Sequence, residues 1–350
     1  MKHKFPYKWT LKDAIFTKDK GKVFSCFACG GGSTMGYKLA GFDVLGRNEI
    51  DPKMMACYVE NHKPKYSFLE PIQTFKLRKD LPEELYDLDI LDGSPPCSSF
   101  SEVGNRSKDW GKEKVFREGQ QKQVLDTLFF DFIDLAKELQ PKIVIAENVK
   151  GLLKGSAYQY YRRVHKELSQ AGYKVNAFCL DASDMGVPQR RERVFVIGLR
   201  NDLSAKLGFN VIPDLQMKFN EKKIPFGEIY EPYTDNAVTG EILRVLENAT
   251  EKESDLRYAC KRIKGKSSLF AYKLIHNHTV ATTITDSNDC NIIFSEKRFR
   301  NRDELIKCGT FPIDYNFLNQ KPVYLIGMSV PPIMTAQIAS NIYDQWLTKL

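Results

Sequence analysis

The sequence predicts an α/β protein in which helices cover both faces of a mostly parallel sheet and a second, smaller domain is inserted before the final helix. Three observations favour this fold class. Short apolar runs alternate with helical patterns over the first two-thirds of the chain. Residues 143–146 are continuously apolar, which is typical of a parallel strand that is buried on both faces. After Arg200 the alternation ends, and the patterns become short and irregular.

The predicted elements of the large domain follow in chain order. Residues 23–27 form a strand that leads into a glycine loop, and the helix after this loop ends near Gly41. Asp51 is a favourable N-cap and Pro52 suits the first helical position, so a second helix runs from there to about Asn61. The other patterns are strands at 44–49, 88–91, 143–146, 175–180 and 194–199, a helix between 124 and 139, and a closing helix at 331–347.

Length and composition limit the class of protein. The 350 residues suffice for about two domains, and we assign 1–200, completed by 322–350, to the large domain and 201–321 to the small one. No run approaches the ~18 consecutive apolar residues of a membrane helix, and the amino terminus lacks the apolar core of a secretion signal. The eight cysteines are scattered like the reduced thiols of a cytoplasmic protein, and the net charge of +8 permits a polyanionic partner.

The carboxyl ends of the strands are the places where open α/β sheets bind ligands. The first strand ends in glycines at 30–32, which let a ligand approach the backbone. Glu49 ends the second strand, where an acidic residue can bind ribose hydroxyls. Met35 stands at the third glycine position of the dinucleotide fingerprint, so an ordinary strand–helix turn is an equal alternative on these residues alone.

A cysteine and a glutamate end the next two strands. Cys97 follows two prolines and precedes a long polar loop, whereas Glu147 ends an apolar strand, so the pair could be a nucleophile and a proton donor. An inert buried thiol is the alternative for Cys97. Arg191 and Arg193 stand two residues apart at the start of the last strand, so both face one side. They suit an anionic or carbonyl-rich ligand or, alternatively, a surface ion pair.

Two other patterns are weak evidence for a redox or metal site. Cys26 and Cys29 have the spacing of a redox pair, but three glycines stand where such a motif begins its helix, and no second pair completes a zinc site. His276 and His278 alternate on a predicted strand with no carboxylate cluster nearby in the sequence, which favours solvated side chains. We therefore expect no metal site.

Taken together and in this order, the motifs resemble the DNA (cytosine-5) methyltransferase family along nearly the whole chain. The chain departs from the usual family residues at Cys29, Glu70, Asp303 and Met328. The Pro-Pro-Cys, Glu-Asn-Val and Gln-Arg-Arg-x-Arg set is highly specific. The motifs are FACGGG (27–32), NEID (48–51), LEPI (69–72), GSPPCSSFS (93–101), TLFFDF (127–132), ENVKGL (147–152), QRRERVFVIG (189–198), FRNRDELIKCGTFP (299–312) and IGMSVPP (326–332).

The resemblance implies a Rossmann-like, S-adenosylmethionine-dependent methyltransferase sheet with a small inserted target-recognition domain around 201–297. The implied activity is methyl transfer from S-adenosylmethionine to C5 of a flipped-out cytosine in a specific duplex DNA sequence. Cys97 would add to C6, and Glu147 would bond N3 and the exocyclic amine. Arg193 would bind O2, and Arg191 would support the site and the DNA backbone.

The resemblance also implies the binding residues. Serines in the loop after the nucleophile and the basic stretch of 257–273 are candidates for DNA contacts, although a solvated charged face is the alternative for that stretch. The DNA candidates are Ser99, Ser101, Arg257, Lys261, Arg262, Lys264 and Lys266. The cofactor candidates are Phe27, Cys29, Gly30, Gly32, Glu49, Ile50, Glu70, Pro96, Leu128 and Ser329.

The implied partner is double-stranded DNA, together with a cognate restriction endonuclease that acts on the same site. We expect a monomer of the bacterial or phage modification type, in the cytoplasm and without a membrane partner. Two alternatives stay open. One is a tRNA cytosine-5 methyltransferase, although the Cys-Phe-Thr signature of that subfamily is absent from the sequence. The other is a DNA-binding homologue with a weakened catalytic site.

Overall fold

The structure is a computed structural model that describes residues 3–96, 113–114, 123–124, 127–155, 157–209, 212–232, 235–285 and 289–350. The chain forms two compact units. The larger unit consists of Ile15–Asp181, Glu192–Lys218 and Thr335–Leu350. The smaller unit consists of Met1–Ala14, Ala182–Arg191 and Phe219–Met334.

The larger unit is built on a seven-stranded sheet with the order β3-β2-β1-β4-β7-β9-β8. The first five strands in this order run parallel, whereas β9 is antiparallel to both of its neighbours. The strands are β1 (Lys22–Cys26), β2 (Asp43–Glu49), β3 (Tyr66–Leu69), β4 (Ile90–Gly93), β7 (Ile143–Val149), β8 (Tyr173–Asp181) and β9 (Glu192–Arg200). Between β4 and β7, the short strands β5 (Glu113–Lys114) and β6 (Gln123–Val124) pair antiparallel.

Helices alternate with the strands of this sheet, as the sequence pattern predicts. In the first part of the chain they are α1 (Gly32–Leu39), α2 (Pro52–His62), α3 (Ile72–Phe75), α4 (Leu128–Leu139), α5 (Ala157–Gln170) and α6 (Asn201–Lys206). The later helices are α7 (Gly240–Leu246), α8 (Arg257–Lys264), α9 (Arg302–Cys308), α10 (Pro322–Met328) and α11 (Pro332–Gln345). Helix α2 begins where expected because the Asp51 carboxylate accepts from the backbone N–H groups of Lys53 and Met54.

The two faces of the large sheet carry different side chains because successive residues of a strand point in opposite directions. Phe24, Leu91 and Val144 belong to a buried apolar cluster that includes residues of α4 and α5. Ser25 and Asp92 therefore point to the opposite face, where Asp92 meets Tyr37 of α1. Helices thus cover both faces, and the predicted fold class is observed in the larger unit.

The smaller unit has its own sheet and its own apolar core. Strands β10 (Lys273–Ile275), β11 (Asn291–Ile293) and β12 (Arg298–Phe299) form a three-stranded sheet. Buried side chains of α7, α8, β10, β11 and the residues just before the two helices form one cluster: Val238, Val245, Leu246, Leu256, Ala259, Cys260, Leu274 and Ile292. The amino-terminal segment belongs here because the Trp9 indole N–H donates to the Thr310 carbonyl at 2.9 Å.

The bounds of the units differ from the division expected at residue 200. Residues 1–14, 182–191 and 322–334, which were expected in the large domain, lie in the smaller unit. Residues 201–218 lie in the larger one, where Trp346 donates to the Asp214 carbonyl at 2.8 Å. Such boundaries depend on contacts between distant parts of the chain, which local patterns do not report. The assignment of 201–321 to target recognition stays a prediction.

Within the part of the chain that the structure describes, one helical stretch is long and apolar enough to cross a membrane by length and composition. It spans Pro322–Lys349, and 89% of its most apolar 18-residue window is buried inside the protein. Burial of this extent is typical of a core helix rather than of a membrane span.

Candidate active site

The loop after β1 turns sharply at the amino end of α1. Phe27 and Cys29 have φ angles of 54° and 46°, and Gly31, the residue before the helix, has φ 84°. A Cβ atom on Gly31 would lie 2.3 Å from Nε2 of His62. Glycine is therefore required at this position, both by the backbone conformation and by the close approach of α2.

Cys29 stands where the resembling family has glycine, and two residues of β2 hold it in its left-handed conformation. The backbone N–H of Cys29 donates to Glu49 Oε2 at 2.8 Å, and its carbonyl accepts from Arg47 Nη1 at 2.8 Å. Arg47 is fully buried, and its guanidinium lies 4.1 Å from the ring centroid of Tyr58. Burial raises the pKa of the Cys29 thiol to about 12, so the thiol is neutral at pH 7.

Glu49 ends β2 with its carboxylate held by three backbone donors. Oε2 accepts from Cys29, and Oε1 accepts from the N–H groups of Ile50 and Asp51 at 2.9 and 3.1 Å. The side chain is 9% exposed. These bonds orient the carboxylate and leave lone pairs available, and its binding of ribose hydroxyls stays a prediction.

Glu70 follows β3, as expected for the residue at the adenine position of the resembling motif. Asn48 holds this segment by donating to the Glu70 carbonyl at 2.8 Å. The Glu70 carboxylate itself accepts from Arg78 Nη1 at 2.9 Å and from the Thr74 hydroxyl at 3.0 Å. Glu70 is thus part of an ion pair, which the sequence did not indicate, and its contact with a cofactor stays a prediction.

The segment that leads to the predicted nucleophile is held from β7. Strand β4 ends at Gly93, and the side-chain amide of Asn148 donates to the Pro95 carbonyl at 3.3 Å. Pro96 is half-buried. Cys97, Ser99 and Ser101 lie outside the described residues.

Glu147 and Arg193 meet at the carboxyl end of β7. The Arg193 Nε lies 3.0 Å from Glu147 Oε1, and the side chains are 16% and 14% exposed. Val149 pairs with Arg193 across the antiparallel β7–β9 ladder, which places Arg193 on the face of Glu147. Burial lowers the pKa of the Arg193 guanidinium, and the charge of Glu147 opposes this shift. The structure thus brings together the predicted proton donor and the predicted O2-binding residue.

Arg191 lies in the smaller unit, immediately before β9, and has different contacts. Its side chain is 2% exposed and donates to the carbonyls of Ile284 at 2.9 Å and Gly327 at 2.6 Å. These bonds join two segments of the smaller unit. The described contacts thus favour a structural role, and support of the DNA backbone by Arg191 stays a prediction.

Two further cofactor candidates are buried at the ends of helices. Leu128 begins α4 and is fully buried within the apolar cluster of the larger unit. Ser329 follows α10 in the smaller unit, where its hydroxyl donates to the Leu325 carbonyl at 2.8 Å. Their predicted contacts with the cofactor stay predictions.

The predicted DNA-binding stretch is largely paired with acidic residues of the same unit. Arg257 donates to the Asp255 carboxylate through Nε and Nη2, with Nη2 at 2.7 Å from Oδ2, and Arg262 and Lys264 contact Glu253 and Glu241, respectively. Lys261 and Lys266 are exposed. Among the described residues, no group of three or more His, Cys, Asp or Glu side chains could hold a metal ion.

Asp92 is a polar residue near this site that the sequence analysis missed. It is 5% exposed, Oδ2 accepts from the Ser25 hydroxyl at 3.0 Å, and Oδ1 accepts from the Tyr37 hydroxyl at 3.0 Å. Burial, with a smaller contribution from the Glu147 charge, raises its pKa to about 7, although the two hydrogen bonds oppose the shift. An acid inside an apolar strand is the sequence signal that could have found it.

Comparison with known sequences supports one family. Residues 21–344 match the sequence profile described as C-5 cytosine-specific DNA methylase. The type II methyltransferase M.FnuDI of Fusobacterium nucleatum is 37% identical over 183 residues, which are 52% of this chain and 48% of that protein. The type II methyltransferase M.NgoPII of Neisseria gonorrhoeae is 36% identical over 219 residues, 62% of this chain and 58% of that protein. The chain spans about half the length of the curated relatives it matches.

Comparison with solved structures supports the fold. A prophage-encoded E. coli protein described as a DNA modification methyltransferase gives a TM-score of 0.66 at 19% identity, covering 93% of this chain and 99% of that one. The DNMT2 protein of Spodoptera frugiperda gives 0.62 at 17% identity, with 92% and 99% covered. At such identities the likeness concerns the fold, and it confirms the predicted α/β class.

Proposed function

Because the chain belongs to the C-5 cytosine-specific DNA methylase family, we propose that it transfers a methyl group from S-adenosylmethionine to C5 of a cytosine in a specific duplex DNA sequence. The observation that carries this proposal is the Glu147–Arg193 pair, which lies beside the segment that leads to Cys97. A carboxylate and a guanidinium at one strand end present an acceptor and a planar donor. Cytosine offers the complementary amine, N3 and O2 atoms.

The described residues of the glycine loop suit the cofactor. The backbone turns tightly at Gly31, and the aligned Glu49 carboxylate lies beside the loop. When bound, S-adenosylmethionine supplies an electrophilic methyl group on a sulfonium. Glu49 binds the ribose hydroxyls, and Phe27, Gly30 and Ile50 shape the pocket around the nucleoside.

Cys97 and Glu147 activate the base. The Cys97 thiolate adds to C6 of the extruded cytosine, which makes C5 nucleophilic toward the methyl group. Glu147 bonds N3 and the exocyclic amine and favours protonation of N3 as negative charge develops. Arg193 holds both Glu147 and the O2 atom of the base. Water takes the C5 proton, and elimination of the Cys97 thiolate restores the aromatic ring.

The partners follow from this activity. Duplex DNA is the substrate, and the region 201–321, most of which lies in the smaller unit, chooses the target sequence. The names of the bacterial relatives support a role in restriction and modification, in which a cognate endonuclease acts on the same site in the cytoplasm. We propose that the chain acts as a monomer, since each event modifies one cytosine.

Radiolabelled methyl transfer to duplex DNA and to tRNA tests the proposal. We expect transfer to duplex DNA that contains the target sequence, and loss of all transfer in Cys97→Ala. DNA with 5-fluorocytosine should form a stable adduct with the native protein only, because the fluorine at C5 cannot leave as a proton. Transfer to tRNA alone, or DNA binding without transfer, would contradict the proposal. Bisulfite sequencing of DNA from an expressing host would then identify the target.

A further inference from the structure

Asp92 is a buried carboxyl group that the proposed mechanism does not use. Its two oxygens each accept from one neutral hydroxyl, Ser25 Oγ and Tyr37 Oη, both at 3.0 Å. Ser25 lies on β1 immediately before the glycine loop, and Tyr37 lies on α1 immediately after it. One carboxylate thus holds both flanks of the loop.

The register of the sheet places Asp92 between the loop and the base-binding pair. Ser25 pairs with Asp92 across β1 and β4, and Asp92 pairs with Ile145 across β4 and β7. Glu147 is two residues beyond Ile145 and therefore points to the same face. Ser25, Asp92 and Glu147 form a polar row on neighbouring strands, at the edge of the sheet where ligands bind.

Among the described residues, Asp92 has no positively charged partner that would compensate a negative charge. Two hydroxyls are its hydrogen-bond partners among the described residues, and burial is the main cause of its raised pKa. An ionised Asp92 therefore lowers the stability of the folded state, and such groups are typical of functional sites. The titratable groups that face it are Tyr37 on α1 and Glu147 on β7. Cys26 on β1, which points to the apolar face, and Tyr58 on α2 also interact with its charge, and Arg47 and Glu49 of β2 bond the backbone of Cys29 in the loop.

We propose that Asp92 is a positioning residue of the cofactor site, whose carboxylate holds the glycine loop and favours the sulfonium cofactor over its neutral thioether product. The inference rests on the proposed function, because that function supplies the cationic ligand. A negative charge behind the loop attracts a sulfonium and has little effect on the uncharged sulfur of S-adenosylhomocysteine. The amino and carboxylate groups of the two ligands are the same, so a difference between their affinities reports on the sulfonium.

The sign of the pH dependence follows from linkage. If the ionised Asp92 carboxylate favours the sulfonium, then binding of S-adenosylmethionine favours ionisation of Asp92. The affinity of the protein for S-adenosylmethionine therefore increases as the pH rises through about 7. The affinity for S-adenosylhomocysteine should not depend on the ionisation of Asp92, because its sulfur is uncharged. The preference for S-adenosylmethionine over S-adenosylhomocysteine should therefore increase from pH 6 to pH 8.

Isothermal titration calorimetry of the full chain with each ligand, from pH 6 to pH 8.5, tests this proposal. We expect Asp92→Asn to weaken S-adenosylmethionine about five- to tenfold at pH 8, to leave S-adenosylhomocysteine within about twofold, and to abolish the pH dependence of the preference. Ser25→Ala and Tyr37→Phe keep the carboxylate but remove hydrogen bonds that lower its pKa. In these variants the increase in preference should move to higher pH.

Asp89→Asn is the matched control. Asp89 immediately precedes β4 and accepts from Lys22 N–H and Lys142 Nζ, both at 2.7 Å, at the opposite end of that strand. This variant should retain both affinities and their pH dependence. Thermal melting at pH 8 supplies an independent readout, because removal of an uncompensated buried charge should raise the Tm of Asp92→Asn.

The outcomes are distinct. Loss of stability together with equal weakening of both ligands would show that Asp92 is merely structural and would overturn the inference. An unchanged pH-dependent preference in Asp92→Asn would also overturn it. If the native protein binds neither ligand, the proposed function itself fails.

Discussion

Glu147 and Arg193 are each held by the other, and this mutual contact prepares the site for a base. The pair is 3.0 Å apart, and each side chain is less than one-fifth exposed. A partly buried carboxylate without its guanidinium would bear a desolvation cost, so each residue stabilises the charged form of the other. The planar guanidinium also fixes the orientation of the carboxylate, which acid–base chemistry at N3 requires.

Glu147→Gln should lower methyl transfer about 100-fold or more, because an amide cannot favour proton gain at N3. The fold should persist, since the glutamine oxygen still accepts from Arg193. Single-turnover kinetics with labelled cofactor and a thermal melt measure the two effects. Glu192→Gln is the control, because Glu192 pairs with Lys150 at an exposed position of β9, next to Arg193. Equal losses of activity in both variants would contradict a specific role for Glu147.

The sequence predicted the residues that end strands, and it missed those whose role depends on a partner elsewhere. Glu49 was found because it follows an apolar run, and the structure holds it beside the loop as expected. Asp92 was missed because its partners lie on another strand and on a helix. The ion pair of Glu70 with Arg78 was missed because no local pattern distinguishes it from an isolated acid.

At the scale of elements, the strands and helices with strong local signals were predicted to within a few residues. The strand at 23–27 is observed at Lys22–Cys26, and the helix after Asp51 at Pro52–His62. Strand β3 and helix α5 were missed. The antiparallel placement of β9 was not predictable, because strand direction depends on pairing between distant segments.

Helix α9 explains why the departure at Asp303 is tolerated. Asn301 caps the helix by accepting from the Glu304 N–H, and Glu304 accepts in return from the Asn301 N–H. Glu304 is fully buried and binds Arg298 through both oxygens, at 2.8 and 2.9 Å. Asp303 is exposed, beside Arg302. The residue type at 303 therefore has little effect on this buried network.

Glu304→Gln should destabilise the protein by about 3 kcal/mol, because it leaves the buried Arg298 without its main counter-charge. Asn301→Ala should cost about 1 kcal/mol through loss of the cap. Urea unfolding monitored by circular dichroism measures both changes. Asp303→Ala is the control and should stay within about 0.5 kcal/mol of the native protein. A larger effect of Asp303→Ala than of Glu304→Gln would contradict this account of the network.

At the scale of the whole molecule, the net charge of +8 does not locate the DNA-binding surface. The basic stretch of 257–273 stands out in the sequence, but the structure pairs Arg257 and Lys273 with Asp255 and also engages Arg262 and Lys264. Charges that are already paired release fewer counterions when a phosphate approaches. The exposed lysines of this stretch, Lys261 and Lys266, are therefore its best candidates for phosphate contacts.

We expect the double variant Lys261→Ala, Lys266→Ala to weaken DNA binding and to reduce the slope of log K against log salt by about 2, since each lost phosphate contact removes about 0.9. The double variant Arg262→Ala, Lys264→Ala removes the same charge, but from side chains engaged with Glu253 and Glu241. Its slope should change by less than about 0.5 if those charges do not contact phosphate. Fluorescence anisotropy with a labelled duplex at 50–300 mM salt measures both slopes. The two variants have the same net charge and differ only in which side chains are removed. Equal slope changes would therefore show that net charge, rather than direct phosphate contact by Lys261 and Lys266, governs binding.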